Sequence, residues 1–190
     1  MRIIAGEFRG RRLIEPKFDT TRPITDRAKQ SLFDVLAPLI PDSGIYDCFC
    51  GTGSMGLECL SRGATHATFF DADRTALLGL RENIKSLAVQ SRARVLAGDI
   101  FKLAPAFAPP DPVGLLFLDP PYKYLREKPA ELQKLVAGLL PKLATDGTIV
   151  FRHDTADELT FAALGRVDRR VYGSMTIDLL SPLPVRPGEG

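Results

Sequence analysis

A chain of 190 residues with 45% apolar and 25% charged residues has the composition of a globular domain with its own core, not that of a disordered segment. A net charge of +2 leaves any affinity for nucleic acid to a local patch, and no apolar run reaches the length of a membrane span. Cys48, Cys50 and Cys59 give neither a disulfide framework nor a set of metal ligands, and "MRIIAGEFRGRR" carries no secretory pattern, so a cytoplasmic protein without a metal site is expected.

In chain order, "RIIAGEF" and "RRLIE" read as two short strands around a turn near Gly10. "PKFDTTRP" is an irregular connector, in which Pro16 and Pro23 forbid a helix. Thr25 reads as an N-cap, and Ala28, Leu32, Val35, Leu36 and Leu39 form an apolar stripe at helical spacing that ends before Pro41. Residues 1–24 are thus expected to be a hairpin extension with its connector, and residues 25–190 the main domain.

From Gly44 the pattern alternates. "GIYDCF" is a buried strand, followed by a helix over 54–62. "HATFFDAD" precedes a helix over 74–87, and "RARVLAGD" a short helix or loop toward Pro105. "PVGLLFLD" is almost wholly apolar, as burial on both sheet faces requires, and a helix over 129–143 leads to "GTIVFRHD". "GRVDRRVYG" and "SMTIDLLSP" close the chain as a hairpin around Gly173-Ser174. Alternating strands and helices predict a doubly wound α/β fold with a mostly parallel, seven-stranded sheet, in which the closing hairpin forces one antiparallel strand. That is the outline of the Rossmann-like S-adenosylmethionine (SAM)-dependent methyltransferase fold.

The stretch "DCFCGTGSMGLE" contains Gly51-x-Gly53-x-x-Gly56, a spacing used for nucleotides. In a dinucleotide site the loop amides and the helix N-terminus face a pyrophosphate, and a carboxylate at Asp47 would be a like charge there. SAM has no phosphate; its ammonium and sulfonium both favour a nearby carboxylate. Asp71 ends the second strand, where an acid bonds ribose hydroxyls, and Asp99 ends the third, where it can accept from an adenine amine. Each aspartate could equally be a turn or N-cap residue, but three in succession mark the ligand edge of a parallel sheet.

The fourth strand ends in Asp119-Pro120-Pro121-Tyr122. An exocyclic base amine is a poor nucleophile because its lone pair is delocalised into the ring. The Asp119 carboxylate and the Pro120 carbonyl can each accept one of its N–H bonds, which draws the nitrogen toward tetrahedral geometry. Pro121 stiffens the turn, and Tyr122 offers a face on which an extruded base can stack.

Taken together, "MRIIAGEFRGRRL", "TRPITDRAKQSLFDVL", "DCFCGTGSMGLECLSRGA" and "FLDPPY" resemble the RsmD family of bacterial 16S ribosomal RNA guanine-N2 methyltransferases. The resemblance implies SAM as cofactor, with contacts from Asp47, Gly51, Thr52, Gly53, Asp71, Ala72, Asp99 and Ile100. It implies a base clamp of Asp119, Pro120, Pro121 and Tyr122, and RNA contacts from Arg2, Arg9, Arg11, Arg12, Arg22, Arg27 and Lys123. The expected partner is 16S rRNA within an assembling small subunit, met by a monomer with no membrane association. Two departures stand out: Cys48 and Cys50 replace aliphatic residues or alanine, and Arg152 stands where an acid is expected. The competing readings are a DNA adenine-N6 methyltransferase with the same chemistry, a protein glutamine methyltransferase, an NAD-dependent oxidoreductase, and a non-catalytic RNA-binding relative.

Overall fold

The computed structural model describes residues 1–15, 24–109 and 111–184; the connector over 16–23, with Arg22, lies outside them. Helix α1 (Asp26–Leu36) starts at Thr25, whose side chain accepts from the Ala28 N–H as an N-cap should. Strands β1 (Gly44–Cys48), β2 (His66–Asp71) and β3 (Ala93–Ala97) alternate with α2 (Ser54–Ser61) and α3 (Arg74–Ser86). Then come α4 (Ile100–Ala106), β4 (Val113–Leu118), α5 (Lys123–Glu127), α6 (Pro129–Leu139) and β5 (Leu143–Asp154). The hairpin of β6 (Leu164–Tyr172) and β7 (Met175–Pro182) completes a seven-stranded sheet of order β3-β2-β1-β4-β5-β7-β6. β7 runs antiparallel to both neighbours and the other pairings are parallel, which is the expected architecture. None of the described helices is long and apolar enough to cross a membrane.

The two-residue period of the strands sorts their side chains between two apolar layers. Ile45, Phe69, Phe117 and Val150 pack with α1, α2 and α3, whereas Tyr46, Phe70, Leu116, Leu118 and Phe151 pack with α4, α5 and α6. Asp47, Asp71, Asp119 and Arg152 each follow a first-layer residue by two positions. The pleat therefore directs all four toward the first layer at the carboxyl edge of the sheet.

The N-terminal segment departs from two regular strands. One antiparallel bridge, Arg2 with Arg12, forms within it, and the chain turns through Gly6 and Gly10 between them. The reason is competition for backbone groups. Glu58 of α2 accepts from the N–H of Ile4 at 2.8 Å and of Ala5 at 3.0 Å, and the Ser61 hydroxyl accepts from the Phe8 N–H. Ile3 and Leu13 are buried in the first layer, so the segment is packed onto α2.

Glu58 and Lys29 are both fully buried, with Nζ to Oε2 at 3.0 Å, and Arg62 bonds the other carboxylate oxygen at 2.8 Å. Lys29 also donates to the Arg2 carbonyl and the Ser54 hydroxyl, tying α1, α2 and the N-terminal segment together. Burial lowers the Lys29 pKa and the Glu58 charge opposes that shift. Glu58→Ala removes the carboxylate that compensates a buried ammonium and frees two backbone donors. Its expected cost is about 3–5 kcal/mol, read as a thermal-midpoint loss of about 6–20 °C. An unchanged midpoint would show that this cluster holds nothing together.

Candidate active site

The loop after β1 is built by the residues it contains. Asp47, 2% exposed, accepts from the Gly56 N–H at 2.8 Å, and Asp71 accepts from the Gly51 N–H at 2.7 Å and the Asp73 N–H at 2.8 Å. Gly53 (φ +83°) is the N-cap of α2, and a Cβ there would lie 2.4 Å from Leu80 Cδ1. At Gly56 a Cβ would lie 2.5 Å from the Phe69 ring and 3.1 Å from the Asp47 carboxylate. These two glycines therefore let α2 sit close to the sheet and leave Asp47 room beside it.

A cavity of about 560 Å³ opens at this edge. Asp47, Gly51, Thr52, Asp71, Ala72, Asp99 and Ile100 line it, together with Asp119 and Pro121. Gly53 and Pro120 are buried and do not line it, so any part Pro120 plays there falls to its backbone carbonyl. The carboxyls of Asp47, Asp71, Asp73, Asp99 and Asp119 face it against the cationic side chains of Lys128 and Arg152. Such a surface suits a cationic ligand and opposes a pyrophosphate. The capping reading of these aspartates also holds for some: Asp99 caps α4 through the Phe101 N–H, and Asp73 caps α3.

Burial raises the Asp47 pKa to about 8; the Gly56 N–H opposes the shift, and Asp119 and Asp71 add to it. Burial also lifts the Asp119 pKa above the usual carboxylate value against the pull of Arg152. The three cysteines are buried free thiols whose pKa values burial pushes up. Cys50 reaches the cavity wall, while Cys48 and Cys59 fill the core.

Several lining residues carry no local sequence signal. Phe49 leaves β1 at φ +62°, and its ring meets Phe101 at 6.0 Å and Tyr124 at 6.1 Å, centroid to centroid. Lys128 lies over Tyr124 at 4.7 Å. Arg152 is 7% exposed and grips Asp119 with two bonds, Nε to Oδ1 and Nη2 to Oδ2, both 2.6 Å. This resolves the charge at the position where an acid was expected: Arg152 neutralises the carboxylate that follows the end of the neighbouring strand.

Tyr122 lines a second cavity of about 550 Å³, with Thr25, Arg27, Ala28, Ser31, Tyr172, Gly173, Ser174 and Met175. The turn after β4 thus stands between two cavities, with Asp119 and Pro121 on one and Tyr122 on the other. The carbonyls of Pro121 and Tyr122 are taken up by the start of helix α5, where they accept from the Tyr124 and Leu125 N–H groups. Of the expected RNA contacts, Arg2 is tied to Asp26 at 2.8 Å and Arg11 to the Ser86 carbonyl at 2.7 Å. Arg9, Arg12, Arg27 and Lys123 are exposed and have no ion pair among the described residues.

Residues 1–181 match the family described as Conserved hypothetical protein 95. YlbH of Bacillus subtilis (strain 168), provisionally named an rRNA methyltransferase, is 36% identical over 177 residues, covering 91% of this chain and 94% of its own. Ribosomal RNA small subunit methyltransferase D of Escherichia coli (strain K12) is 39% identical over 123 residues, 65% of this chain. That alignment spans 61% of the Escherichia coli enzyme, less than two thirds of its length. Among solved structures, the Escherichia coli protein yhhF, provisionally described as a methyltransferase, superposes with a TM-score of 0.79 at 32% identity, covering 96% of this chain and 97% of its own. TrmN from Thermus thermophilus, at 22% identity and a TM-score of 0.67 over 82% of this chain and 48% of its own, shares the fold. On the match over nearly its whole length, the chain belongs to the Conserved hypothetical protein 95 family, the RsmD family.

Proposed function

We propose that this chain is a SAM-dependent methyltransferase that modifies the exocyclic N2 amine of a guanine in 16S ribosomal RNA. The observation that carries the reading is the acidic cavity at the glycine loop, bounded on its far side by Asp119 and Pro121. Asp47 and the loop would hold the amino-acid end of SAM, Asp71 the ribose hydroxyls, and Asp99 the adenine amine, with Ile100 and Phe101 against the ring. When bound, SAM supplies an electrophilic methyl group. The chain's own part is to orient the acceptor. Asp119 and the Pro120 carbonyl would each accept a hydrogen bond from one amine N–H, so that the nitrogen lone pair faces the donor cavity, and the methylated nitrogen then sheds one proton to Asp119 or to water.

The second cavity would take the extruded nucleoside, with Tyr122 beneath the base and Arg27 near its phosphate. Arg9, Arg12 and Lys123 would extend the contact along the RNA backbone, as Arg22 would from outside the described residues. The relatives named as ribosomal RNA methyltransferases support that acceptor class. The partner is then a small subunit under assembly, met in the cytoplasm by a monomer.

Calorimetry should register binding of SAM and none of NAD. Transfer of a labelled methyl group to small-subunit particles from a strain lacking the activity, followed by nucleotide mapping, should place the label on guanine N2. Label on adenine, or only on DNA or protein, rejects that substrate, and binding of NAD without SAM rejects the reaction class.

A further inference from the structure

We propose that Arg152 is a positioning residue for methyl transfer, whose guanidinium fork fixes the Asp119 carboxylate in one orientation and holds it ready to accept from the acceptor amine. The inference rests on the function proposed above. Strands β4 and β5 pair in parallel with Leu118 opposite Phe151, so that the next residues, Asp119 and Arg152, are neighbours. Both bonds measure 2.6 Å, and the third arm of the fork, Nη1, lies 3.9 Å from the sulfur of Met175. Arg152 lines the first cavity and Met175 the second, so the guanidinium stands at the boundary between them.

A carboxylate has about four lone-pair directions, and a bidentate guanidinium occupies one on each oxygen. One on each oxygen is left, and the planar fork decides where it points. A point-charge ammonium would neutralise Asp119 equally well without fixing its rotation. Charge also matters here. Asp119 meets Asp47 from β1 and Asp71 from β2 across the cavity, while Lys29 from α1 acts on Asp47 and Lys128 lines the far wall. Burial and Asp71 both favour a protonated Asp119, and Arg152 is the cation that opposes them. A protonated Asp119 would offer a donor where the amine needs an acceptor.

The test is the pH dependence of methyl transfer to small-subunit particles by Arg152→Gln and Arg152→Lys, with SAM affinity measured alongside. In R152Q the acid limb of kcat should move to higher pH, and kcat at its optimum should fall about 10–100-fold with SAM binding retained. R152K should restore the acid limb but not the full kcat. A faster R152Q, the outcome for a guanidinium that merely blocks Asp119, overturns the inference, as does a native kcat and pH profile. If R152Q does not fold, native kcat in R152K overturns it and a reduced kcat with a native acid limb supports it. Asp119→Ala separates a failure of the base clamp from a failure of the Arg152 role alone. An active D119A undermines the proposed clamp itself, whereas an inactive D119A beside a native R152Q removes only the role of Arg152.

Discussion

Asp119→Ala should lower kcat for methyl transfer about a thousandfold while SAM affinity survives. Asp119 is proposed to touch the acceptor amine and not the donor, so its loss removes an interaction made in the transition state. Stability should fall as well, because the substitution deletes the carboxylate that neutralises a guanidinium only 7% exposed. Breaking a buried pair from one side costs about 3–5 kcal/mol, or about 6–20 °C in the thermal midpoint of a domain this size. The double variant Asp119→Ala/Arg152→Met removes both charges and should recover most of the midpoint without recovering activity. Single-turnover rates, calorimetry with SAM and thermal unfolding on the three proteins separate these effects. Near-native turnover in D119A would remove the proposed clamp; a dead double variant with a restored midpoint would show that the rate loss is not a folding defect.

The sheet edge was legible because strand periodicity is local. Once β1, β2 and β4 are recognised, counting two residues on from Ile45, Phe69 and Phe117 places Asp47, Asp71 and Asp119 on one face. The same count from Val150 reaches Arg152, but its partnership with Asp119 needs the order and register of β4 and β5, which lie 33 residues apart at the contact. The aromatic wall of Phe49, Phe101 and Tyr124 is assembled from three separate segments, so no window of sequence contains it. Helix α5 was missed because five residues after a double proline are too short to show a helical period. Lys29 looks like a surface residue beside Gln30; only Glu58, on another helix, explains its burial. In the arginine-rich N-terminus Arg2 and Arg11 stay exposed, but each is held by a group from a distant segment, Asp26 and Ser86, which no local pattern shows.

Asp47→Asn should weaken SAM binding about 10–100-fold and, in the same protein, raise the stability of the ligand-free form at mildly alkaline pH. The shape of the side chain is kept, and its oxygen can still accept from the Gly56 N–H, so the variant isolates the charge. In the ligand-free fold, burial raises the Asp47 pKa from 3.8 to about 8. Between those values the folded state holds a proton that the unfolded state has released. This contribution is therefore complete below the unfolded pKa and is lost as pH rises through about 8. The native protein should lose stability over that window relative to Asp47→Asn, and the difference between the two denaturation profiles cancels the other carboxylates. A bound ammonium or sulfonium reverses the preference, because a cation beside a carboxylate favours its ionised form. Binding near neutral pH should then expel a proton, seen as a calorimetric enthalpy that varies with the ionisation enthalpy of the buffer. Replacing the charge-assisted bond by a neutral one costs about 1.5–3 kcal/mol, which corresponds to the expected fall in affinity. Native affinity in Asp47→Asn, or binding with no buffer dependence in the native protein, would mean that Asp47 is a neutral packing residue and that the cavity recognises its ligand by other groups.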